Sequence, residues 1–316
     1  MRVVVQNDKS RARGVVRAAS GTPSGARVRG GLAVLLAAAL ASACAQHTPE
    51  VRGAPGQQPV EAPPAPARGG LAPELRAAQA ARVAAAKRWN LKEVPLTAPP
   101  PPVRKPEITA REGFEVHGQE DLPPVFTTVP TEERILFLTI DDGTEKDPAF
   151  LRMMSELKIP YTVFLTDDEI KDDYGYFEKM QARGVTINSH TLSHPYLPGL
   201  SYAQQEHEIC GMQEVIEKRY GKRPALFRPP FGNYNRDTLR AAKSCGIKYA
   251  PIWNEEVYVD HWEYREGDQD LHPGDIVLTH FRGPAEWGGT MTDLARRFLD
   301  RVTAEGYAVA RLEDYL

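Results

Sequence analysis

Short apolar runs alternate with segments of helical periodicity along the second half of the chain. The run 135–140 is followed by apolar residues at helical spacing, Phe150, Leu151, Met154 and Leu157. The same alternation predicts strands at 135–140, 161–165, 185–188, 225–228, 247–253, 275–279 and 307–312, with intervening helices that include 202–220, 236–244 and 292–305. Strands and helices that alternate at this rate are typical of parallel sheets with crossover helices. Six or seven such repeats in about 190 residues predict a small or incomplete α/β barrel.

The part of the chain before this pattern has a different composition. Of the 27 prolines, 17 precede residue 131, and residues 45–106 are rich in Ala, Pro and Gly. Such a stretch buries too little apolar surface to offset its ordering entropy, so 44–106 is predicted to be an extended tether. Residues 75–89 lack interior proline and predict a short helix within it. The compact domain is then predicted to span 107–316, with its core at 130–316.

The first 43 residues have the order of an export signal. Seven basic side chains and one acidic side chain lie within this segment, and an apolar block at 32–40 precedes Ala41-Ser42-Ala43. A basic region, a short apolar region and a small-residue cleavage site are typical of a secretory signal. Leu-Ala-Ser-Ala-Cys also resembles a bacterial lipoprotein box, in which Cys44 becomes the lipidated first residue; ordinary cleavage before Cys44 is the alternative. We therefore expect an exported protein, either anchored on the outer face of the cell membrane or secreted.

Charge excludes one class of partner. The net charge is −3 over the 316 residues, and the basic first segment leaves the remainder more acidic still. A domain of this kind has no basic face for a phosphate backbone, so we expect no nucleic-acid partner. The oligomeric state is not readable from the sequence.

The cysteines restrict the kind of metal site. Only Cys44, Cys210 and Cys245 are present, and none forms a Cys-x-x-Cys motif. A metal would therefore be held by histidine and carboxylate. If Cys44 is modified, Cys210 and Cys245 are the remaining pair, and in an oxidising compartment we expect a disulfide between their predicted helices. Two buried free thiols are the alternative.

Polar clusters follow the carboxyl ends of the predicted strands. They are Asp141-Asp142-Gly143, His190-x-x-x-His194, Arg228-Pro229-Pro230-Phe231 and His280. In α/β barrels this end of the strands carries the active site, so these segments are expected to converge. Two histidines four residues apart are also a spacing at which both imidazoles can meet one metal ion.

In the order of these motifs the chain resembles the NodB-type polysaccharide deacetylases, carbohydrate esterase family 4. The residues that carry the resemblance are Thr139-Ile140-Asp141-Asp142-Gly143, His190-x-x-x-His194, Arg228-Pro229-Pro230-Phe231 and Leu278-Thr279-His280. It covers roughly residues 130–316 and implies a distorted (β/α)7 barrel, in agreement with the alternation of strands and helices. It also implies a hydrolase.

The resemblance implies a role for each motif residue. Asp142, His190 and His194 would hold one divalent metal, most readily Zn²⁺, with Co²⁺ or another first-row ion as alternatives. Asp141 would act as the general base.

The remaining roles follow from the same resemblance. Arg228 would orient Asp141 and keep it ionised, and His280 would protonate the leaving amine as the general acid. The backbone near Phe231 would bind the substrate oxyanion.

The fourth motif departs from the family pattern, which usually ends Asp-Trp. The chain has Val259-Asp260-His261-Trp262, so His261 stands where the aspartate is expected. We expect Asp260, or else Asp275, to tune the pKa of His280, and Trp262 to wall the substrate groove.

Several other residues near this motif carry no specific signal. Tyr258, Tyr264 and Trp253 either line the groove or pack in the domain. Glu255, Glu256 and His272 are interpreted as solvated surface or turn residues.

The resemblance implies a metal-dependent enzyme that removes N-acetyl groups from an acetylated amino-sugar polymer. Peptidoglycan N-acetylglucosamine is the first expectation, because a lipid anchor and a tether would hold the domain near the cell wall. Chitin oligomers and O-acetylated xylan are alternatives on the same site. A non-catalytic wall-binding protein on the same fold is the alternative of another class. A serine hydrolase is disfavoured because no Gly-x-Ser-x-Gly motif occurs.

Overall fold

The computed structural model describes residues 71–117 and 121–316. The predicted export signal at 1–43, the predicted lipidation site Cys44 and the tether up to residue 70 lie outside the described residues. Within the described ranges, no helix has the length and apolar character needed to cross a bilayer.

Short strands and crossover helices alternate along the described chain. The strands are β1 Leu96–Thr97, β2 Val125–Phe126, β3 Ile135–Asp142, β4 Thr162–Leu165, β5 Ile187–Ser189, β6 Ala250–Pro251, β7 Glu255–Val257, β8 Trp262–Tyr264, β9 Ile276–His280 and β10 Ala308–Val309. The α-helices are α1 Leu71–Arg88, α2 Pro148–Leu157, α3 Asp167–Ile170, α4 Tyr174–Gln181, α5 Tyr202–Tyr220, α6 Arg236–Ser244, α7 Pro284–Trp287 and α8 Met291–Ala304. Single 3₁₀ turns lie at Leu197–Gly199, Pro230–Gly232 and Leu312–Asp314.

Parallel pairing arranges these strands as a distorted barrel. β3 pairs with β9 and with β4, β4 pairs with β5, and β7 pairs with β9, all in parallel register. Isolated parallel bridges, Ser189 to Phe227 and Leu226 to Tyr249, continue the ring from β5 toward β6, which pairs with β2. The predicted strand at 225–228 is thus present only as these bridges. The predicted barrel is confirmed.

The alternation of side chains along β3 separates two layers of the core. Leu136, Leu138 and Ile140 pack with helices α2 and α8 in one cluster of buried residues. Ile135 and Phe137 belong to a second cluster, which also contains Ile276 and Leu278 of β9. Successive residues of a strand face opposite sides, so the second cluster fills the barrel and the first lies under the outer helices.

Local capping explains where the helices begin and end. The Asp147 side chain accepts from the backbone N–H of Ala149 at the start of α2, and the left-handed Lys158 ends it. Ser201 and Gln204 form a reciprocal capping box at the start of α5, and Gly221 in the left-handed conformation ends it. These caps fix the lengths of the crossover connections between strands.

A disulfide joins the two cysteines of the predicted pair. Cys210 of α5 and Cys245, the residue that ends α6, are bonded, and their Cα atoms are 5.0 Å apart. The bond closes a loop of sequence separation 35 that contains the Arg228 segment. Because it lowers the conformational entropy of the unfolded chain, such a disulfide stabilises the fold by about 2–4 kcal/mol.

The described part of the predicted tether packs on the barrel, which corrects the domain boundary at residue 107. Helix α1 confirms the short helix expected near 75–89, but Ala85 and Ala86 are buried in the outer core cluster. β1 adds to the sheet in parallel with β10. Alanine-rich composition suggested a solvated spacer, whereas small side chains here allow close contact with α2. The folded unit therefore extends back at least to α1.

Arg82 fastens this segment to the barrel and supplies a test of the corrected boundary. It is 9% exposed, and its guanidinium donates to the carbonyl of Leu157 at 3.3 Å, to the carbonyl of Pro95 at 2.6 Å and to the Thr97 hydroxyl. We expect Arg82→Ala to lower the free energy of unfolding by about 2–3 kcal/mol, because two buried carbonyls lose a charged donor. Urea unfolding followed by circular dichroism measures this.

Arg76 provides the matched control, since it lies on the same helix and is exposed. Arg76→Ala should change the unfolding free energy by less than about 0.5 kcal/mol. Equal, small effects of the two substitutions would show that α1 is not part of the folded unit.

Candidate active site

The motif residues meet at the carboxyl ends of the barrel strands, as the sequence predicted. Asp141 and Asp142 end β3, and His280 ends β9 in register with Asp141. His190 follows β5 directly. Parallel strands bring these ends to one edge, so residues far apart in sequence share one site.

Asp142, His190 and His194 converge on one point. His190 Nε2 and His194 Nε2 each lie 3.6 Å from Asp142 Oδ1. One ligand atom from each residue lies within 4.8 Å of the other two. Asp142 Oδ1 is buried and has no hydrogen-bond partner among the described residues, which is the arrangement of an oxygen placed to bind a cation. The residues present therefore fit a divalent metal.

The histidines are set to offer lone pairs to that cation. His190 is buried, and its Nδ1 lies 2.7 Å from the carbonyl oxygen of Arg228, so Nδ1–H donates and Nε2 is left free. Burial lowers the pKa of His190 well below its usual value and also lowers that of His194. Both imidazoles are consequently neutral near pH 7, the form that binds metals.

Charge keeps Asp142 ionised. Burial alone would raise its pKa, but nearby His280, His190 and His194, in that order, and Arg282 lower it. Arg282 Nη2 donates to Asp142 Oδ2 at 2.7 Å, which orients the carboxylate and leaves Oδ1 toward the histidines. Sequence reasoning missed Arg282, although it lies two residues after His280.

The loop after β3 needs an unusual backbone to present these carboxylates. Asp142 has φ +74° although it ends a strand, and Gly143 follows with φ +110°. A Cβ on Gly143 would lie 2.4 Å from Cγ2 of Ile170, so a side chain there would displace α3. Non-glycine residues rarely adopt positive φ, and such positions tend to cluster at functional sites. The turn at 142–143 is what separates the directions of Asp141 and Asp142.

Arg228 holds Asp141 inside the barrel. Its Nη1 donates to Asp141 Oδ1 at 2.8 Å and to the Thr139 hydroxyl at 2.9 Å, and Nε donates to the carbonyl of Pro251 at 3.0 Å. Burial raises the pKa of Asp141 to about 7, against the lowering effect of Arg228. A carboxylate with a pKa near neutrality is suited to act as a general base.

Comparison with known proteins gives the family. The polysaccharide deacetylase family model matches residues 128–250. An uncharacterised protein of Streptomyces coelicolor is 41% identical over 196 residues, 62% of this chain and 78% of that protein. The chain belongs to the polysaccharide deacetylase family. The resemblance stated from its motifs is thereby confirmed, together with the class of enzyme.

Two further relatives agree with this family. A peptidoglycan-N-acetylglucosamine deacetylase of Bacillus cereus is 26% identical over 197 residues, 60% of this chain and 91% of that protein. The solved structure of a family 4 carbohydrate esterase from Bacillus anthracis is 26% identical and superposes with a TM-score of 0.51, over 60% of this chain and 86% of that one.

In this polysaccharide deacetylase the partner of His280 is Glu256, which corrects the expectation for the fourth motif. Glu256 is 7% exposed, and its Oε1 lies 3.1 Å from His280 Nδ1. Glu256 is paired with Leu278 of β9 in the sheet, so it faces the same side as His280, two residues further along. The interpretation of Glu256 as a solvated residue is therefore wrong.

The two residues expected to tune His280 lie elsewhere. Asp260 is exposed and binds the His261 ring nitrogen at 2.6 Å. Asp275 precedes β9 and accepts hydrogen bonds from Asn254 and Thr128, at the opposite end of the strand from His280. The antiparallel hairpin of β7 and β8, which the sequence pattern did not predict, carries Asp260 away from the site.

The pKa of His280 reflects this partner. Burial works to lower it, but Glu256 and then Asp142 and Asp141 raise the pKa of His280 to about 9. The ring is therefore protonated when Asp141, with a pKa of about 7, is ionised. An ionised base and a protonated acid coexist between these two values. A bound cation lowers both pKa values through its positive charge.

The aromatic wall beside His280 is Trp287, whereas Trp262 was expected. Trp287 ends α7, and its ring centroid lies 5.9 Å from that of His280 and 4.9 Å from that of Tyr258. Trp262 packs on Phe298 of α8 at 6.1 Å, and Arg301 lies over its ring at 4.9 Å. Trp262 thus supports the outer helix layer.

The other aromatic candidates divide between site and core. Phe231 is 48% exposed, and its ring lies 4.6 Å from the ring of the proposed ligand His194. Tyr258 stacks on His261 and contacts Trp287, so it continues the aromatic wall. Trp253 is buried in the inner core cluster. The oxyanion role expected near Phe231 stays a prediction.

Glu256 should control the alkaline side of the pH profile. Glu256→Gln removes a negative charge that favours protonated His280, so the pKa of His280 falls. Because a general acid is lost as pH rises through its pKa, the alkaline limb of kcat/KM should move to lower pH by about one unit. The position of this alkaline limb is measured from the rate of acetate release between pH 6 and pH 10.

Asp260→Asn is the control for this experiment, since Asp260 is exposed and pairs with His261. Its profile should match that of the unsubstituted enzyme. A shifted limb in Asp260→Asn with none in Glu256→Gln would contradict the assignment of Glu256.

Trp287 should contribute binding energy to the sugar. Trp287→Ala removes a stacking surface worth about 0.5–1.5 kcal/mol, so KM for a polymeric substrate should rise about 3–10-fold with little change in kcat. The control is Trp262→Phe, which keeps an aromatic ring against Phe298 and should leave KM unchanged. An unchanged KM in Trp287→Ala would show that Trp287 does not contact the sugar.

Proposed function

We propose that this polysaccharide deacetylase is a divalent-metal-dependent amidase that removes N-acetyl groups from an amino-sugar polymer of the cell envelope. The observation that supports metal dependence is the unpartnered, buried Oδ1 of Asp142 between His190 and His194. Two imidazoles and one carboxylate form a donor set typical of catalytic zinc. Co²⁺ and other first-row ions suit the same donors.

The side chains around that donor set divide the acid and base work. Asp141 is buried beside the ligands and fixed by Arg228, so it would accept the proton of the attacking water. His280 would donate a proton to the leaving amine, with Glu256 stabilising its protonated form. When bound, a divalent metal supplies a Lewis acid that polarises the acetamide carbonyl.

Peptidoglycan N-acetylglucosamine is the proposed substrate. A relative with that printed activity is 26% identical and aligned over 91% of its length. The proposal also places the enzyme outside the cell, exported by residues 1–43 and held by lipidated Cys44 through a tether. Secretion after ordinary cleavage is the alternative location. Chitin oligomers and acetylated xylan are the alternative substrates. In acetylated xylan the acetyl groups are bound as esters rather than as amides.

Acetate release tests the function. Purified protein is treated with chelator, reloaded with Zn²⁺ and incubated in parallel with peptidoglycan, N-acetylglucosamine oligomers and acetylxylan. We expect acetate from peptidoglycan only in the presence of metal. His194→Ala should abolish activity by removing a ligand, and Asp141→Asn should lower kcat by about 10²–10⁴-fold by removing the base.

Two outcomes would count against this proposal. If acetate release is undiminished after chelation and no metal is detected in the protein, the proposed metal dependence is wrong. Folded protein that releases no acetate from any of the three polymers, yet binds one of them, would favour a non-catalytic wall-binding role. A control variant, His261→Ala, should retain full activity because His261 is half exposed and faces Asp260.

A further inference from the structure

Two acidic side chains are buried at the amino ends of adjacent strands, away from the active site. Glu255 begins β7, and Asp275 immediately precedes β9. Each is 1% exposed. Buried carboxylates are costly unless a positive charge or a proton compensates them, so this pair requires a partner.

The strand register separates this pair from the catalytic residues. Glu255 is paired with Val277, and Glu256 with Leu278. Side chains alternate along a strand, so Glu255, Val277 and Asp275 share the face under the outer helices, whereas Glu256 and His280 share the inner face. Asp275 and His280 are five residues apart, or about 16 Å along the strand. The pair cannot serve the active site directly.

No fixed cation compensates this pair within the described part of the chain. No lysine or arginine there forms an ion pair with either carboxylate; the nearest titratable partner is His272, whose Nδ1 lies 3.3 Å from Asp275 Oδ2. Arg301, on the helix above, donates instead to Glu305 and to the Gln269 carbonyl. Among the described residues the pair therefore lacks an ion pair with lysine or arginine, and Arg301 acts on Glu255 only as a more distant charge that lowers its pKa.

The two carboxylates differ in how they are held. Asp275 Oδ1 accepts from Thr128 and Asn254, and Oδ2 accepts from the backbone N–H of His272 at 2.7 Å. Glu255 Oε2 is buried and has no hydrogen-bond partner among the described residues. Burial, and next the charge of Asp275, raise the pKa of Glu255 to about 10. In the absence of another cation a proton therefore resides on Glu255.

His272 completes a set of three donors. One ligand atom each from Glu255, His272 and Asp275 lies within 4.8 Å of the other two. Ligand atoms around one zinc ion lie about 3–4 Å apart, since each bond is about 2.0–2.2 Å long, so small side-chain movements close the set. The interpretation of Glu255 as a solvated residue is wrong, because Glu255 is buried, whereas His272 is partly exposed and contacts Asp275.

We propose that Glu255, His272 and Asp275 form a second divalent-cation site, distinct from the catalytic one, that takes a first-row ion such as Zn²⁺. One imidazole and two carboxylates are ligands that such ions accept. The cation would replace the proton between the carboxylates and hold the segment before β9, which carries His272, against β7. Its role is structural, because it lies on the face of the strands opposite to His280.

Zinc binding to a protein without its catalytic ligands tests this site. The full chain without an affinity tag, carrying His190→Ala and His194→Ala, is freed of metal and titrated with Zn²⁺ by calorimetry. We expect one Zn²⁺ per chain, because Glu255, His272 and Asp275 are the remaining set of three donors found among the described residues. The unsubstituted chain should bind two.

Two variants on this background assign the ligands. His272→Ala should weaken Zn²⁺ binding at least tenfold, and since the His272 side chain is 44% exposed the fold should be retained, as circular dichroism can verify. Glu255→Gln should also lose binding, because an amide replaces the proposed carboxylate ligand, and circular dichroism should show that the fold is retained. His261→Ala is the matched control, since His261 also lies beside acidic residues at the surface but has no buried carboxylate, and it should bind like the parent.

The proposal is overturned if the double variant, shown to be folded, binds no Zn²⁺. It is also overturned if binding persists unchanged in both His272→Ala and Glu255→Gln.

Discussion

The buried ion pair of Arg228 and Asp141 is the interaction on which the geometry of the active site depends. Both side chains are removed from solvent, and a buried charge is tolerated only when it is paired with an opposite charge and hydrogen-bonded. The guanidinium also binds Thr139 and the Pro251 carbonyl, while the Arg228 carbonyl accepts from His190 Nδ1. One residue thereby connects β3, β6 and His190, a proposed metal ligand. Loss of the Arg228 side chain would leave the charge of Asp141 without its partner. It would also disturb the segment whose carbonyl accepts from His190 Nδ1 and so sets the tautomer of His190.

Burial changes the pKa values of the acidic and the basic side chains of this site in opposite directions. Removing water raises the pKa of Asp141 to about 7 and lowers the pKa values of His190 and His194, so both of these imidazoles lose their protons. His280 is the exception, because Glu256 and the nearby aspartates outweigh burial. The same low-dielectric interior therefore yields neutral imidazoles at the proposed metal ligands and a protonated one at the proposed acid. What distinguishes them is the nearest carboxylate and its distance, not the degree of burial.

The sequence predicted the convergence of six residues because parallel strands necessarily bring their carboxyl ends together. It did not predict Glu256 or Trp287. Glu256 reaches His280 only because β7 pairs with β9 in one register, and a slip of one residue would present Glu255 instead. Trp287 ends a four-residue helix that has no motif of its own. The sequence did not predict the packing of α1 for another reason. Alanine is equally suited to a solvated spacer and to a close contact between helices, and only the presence of the neighbouring helix α2 distinguishes the two.

Glu255 and Glu256 show how one peptide bond separates the partner of the proposed general acid from a member of the proposed second cation site. Both are acidic, buried and consecutive, and a sequence pattern cannot distinguish them. The pleat sends Glu256 to the inner face, where His280 is partly exposed and can exchange protons, and sends Glu255 to the outer face, where Asp275 repels it. A positive imidazole compensates the first, so no further ion is needed there. The second has only a proton or a metal ion to compensate it, and the nearby His272 ring favours the metal ion because it adds a nitrogen ligand that a proton would not require.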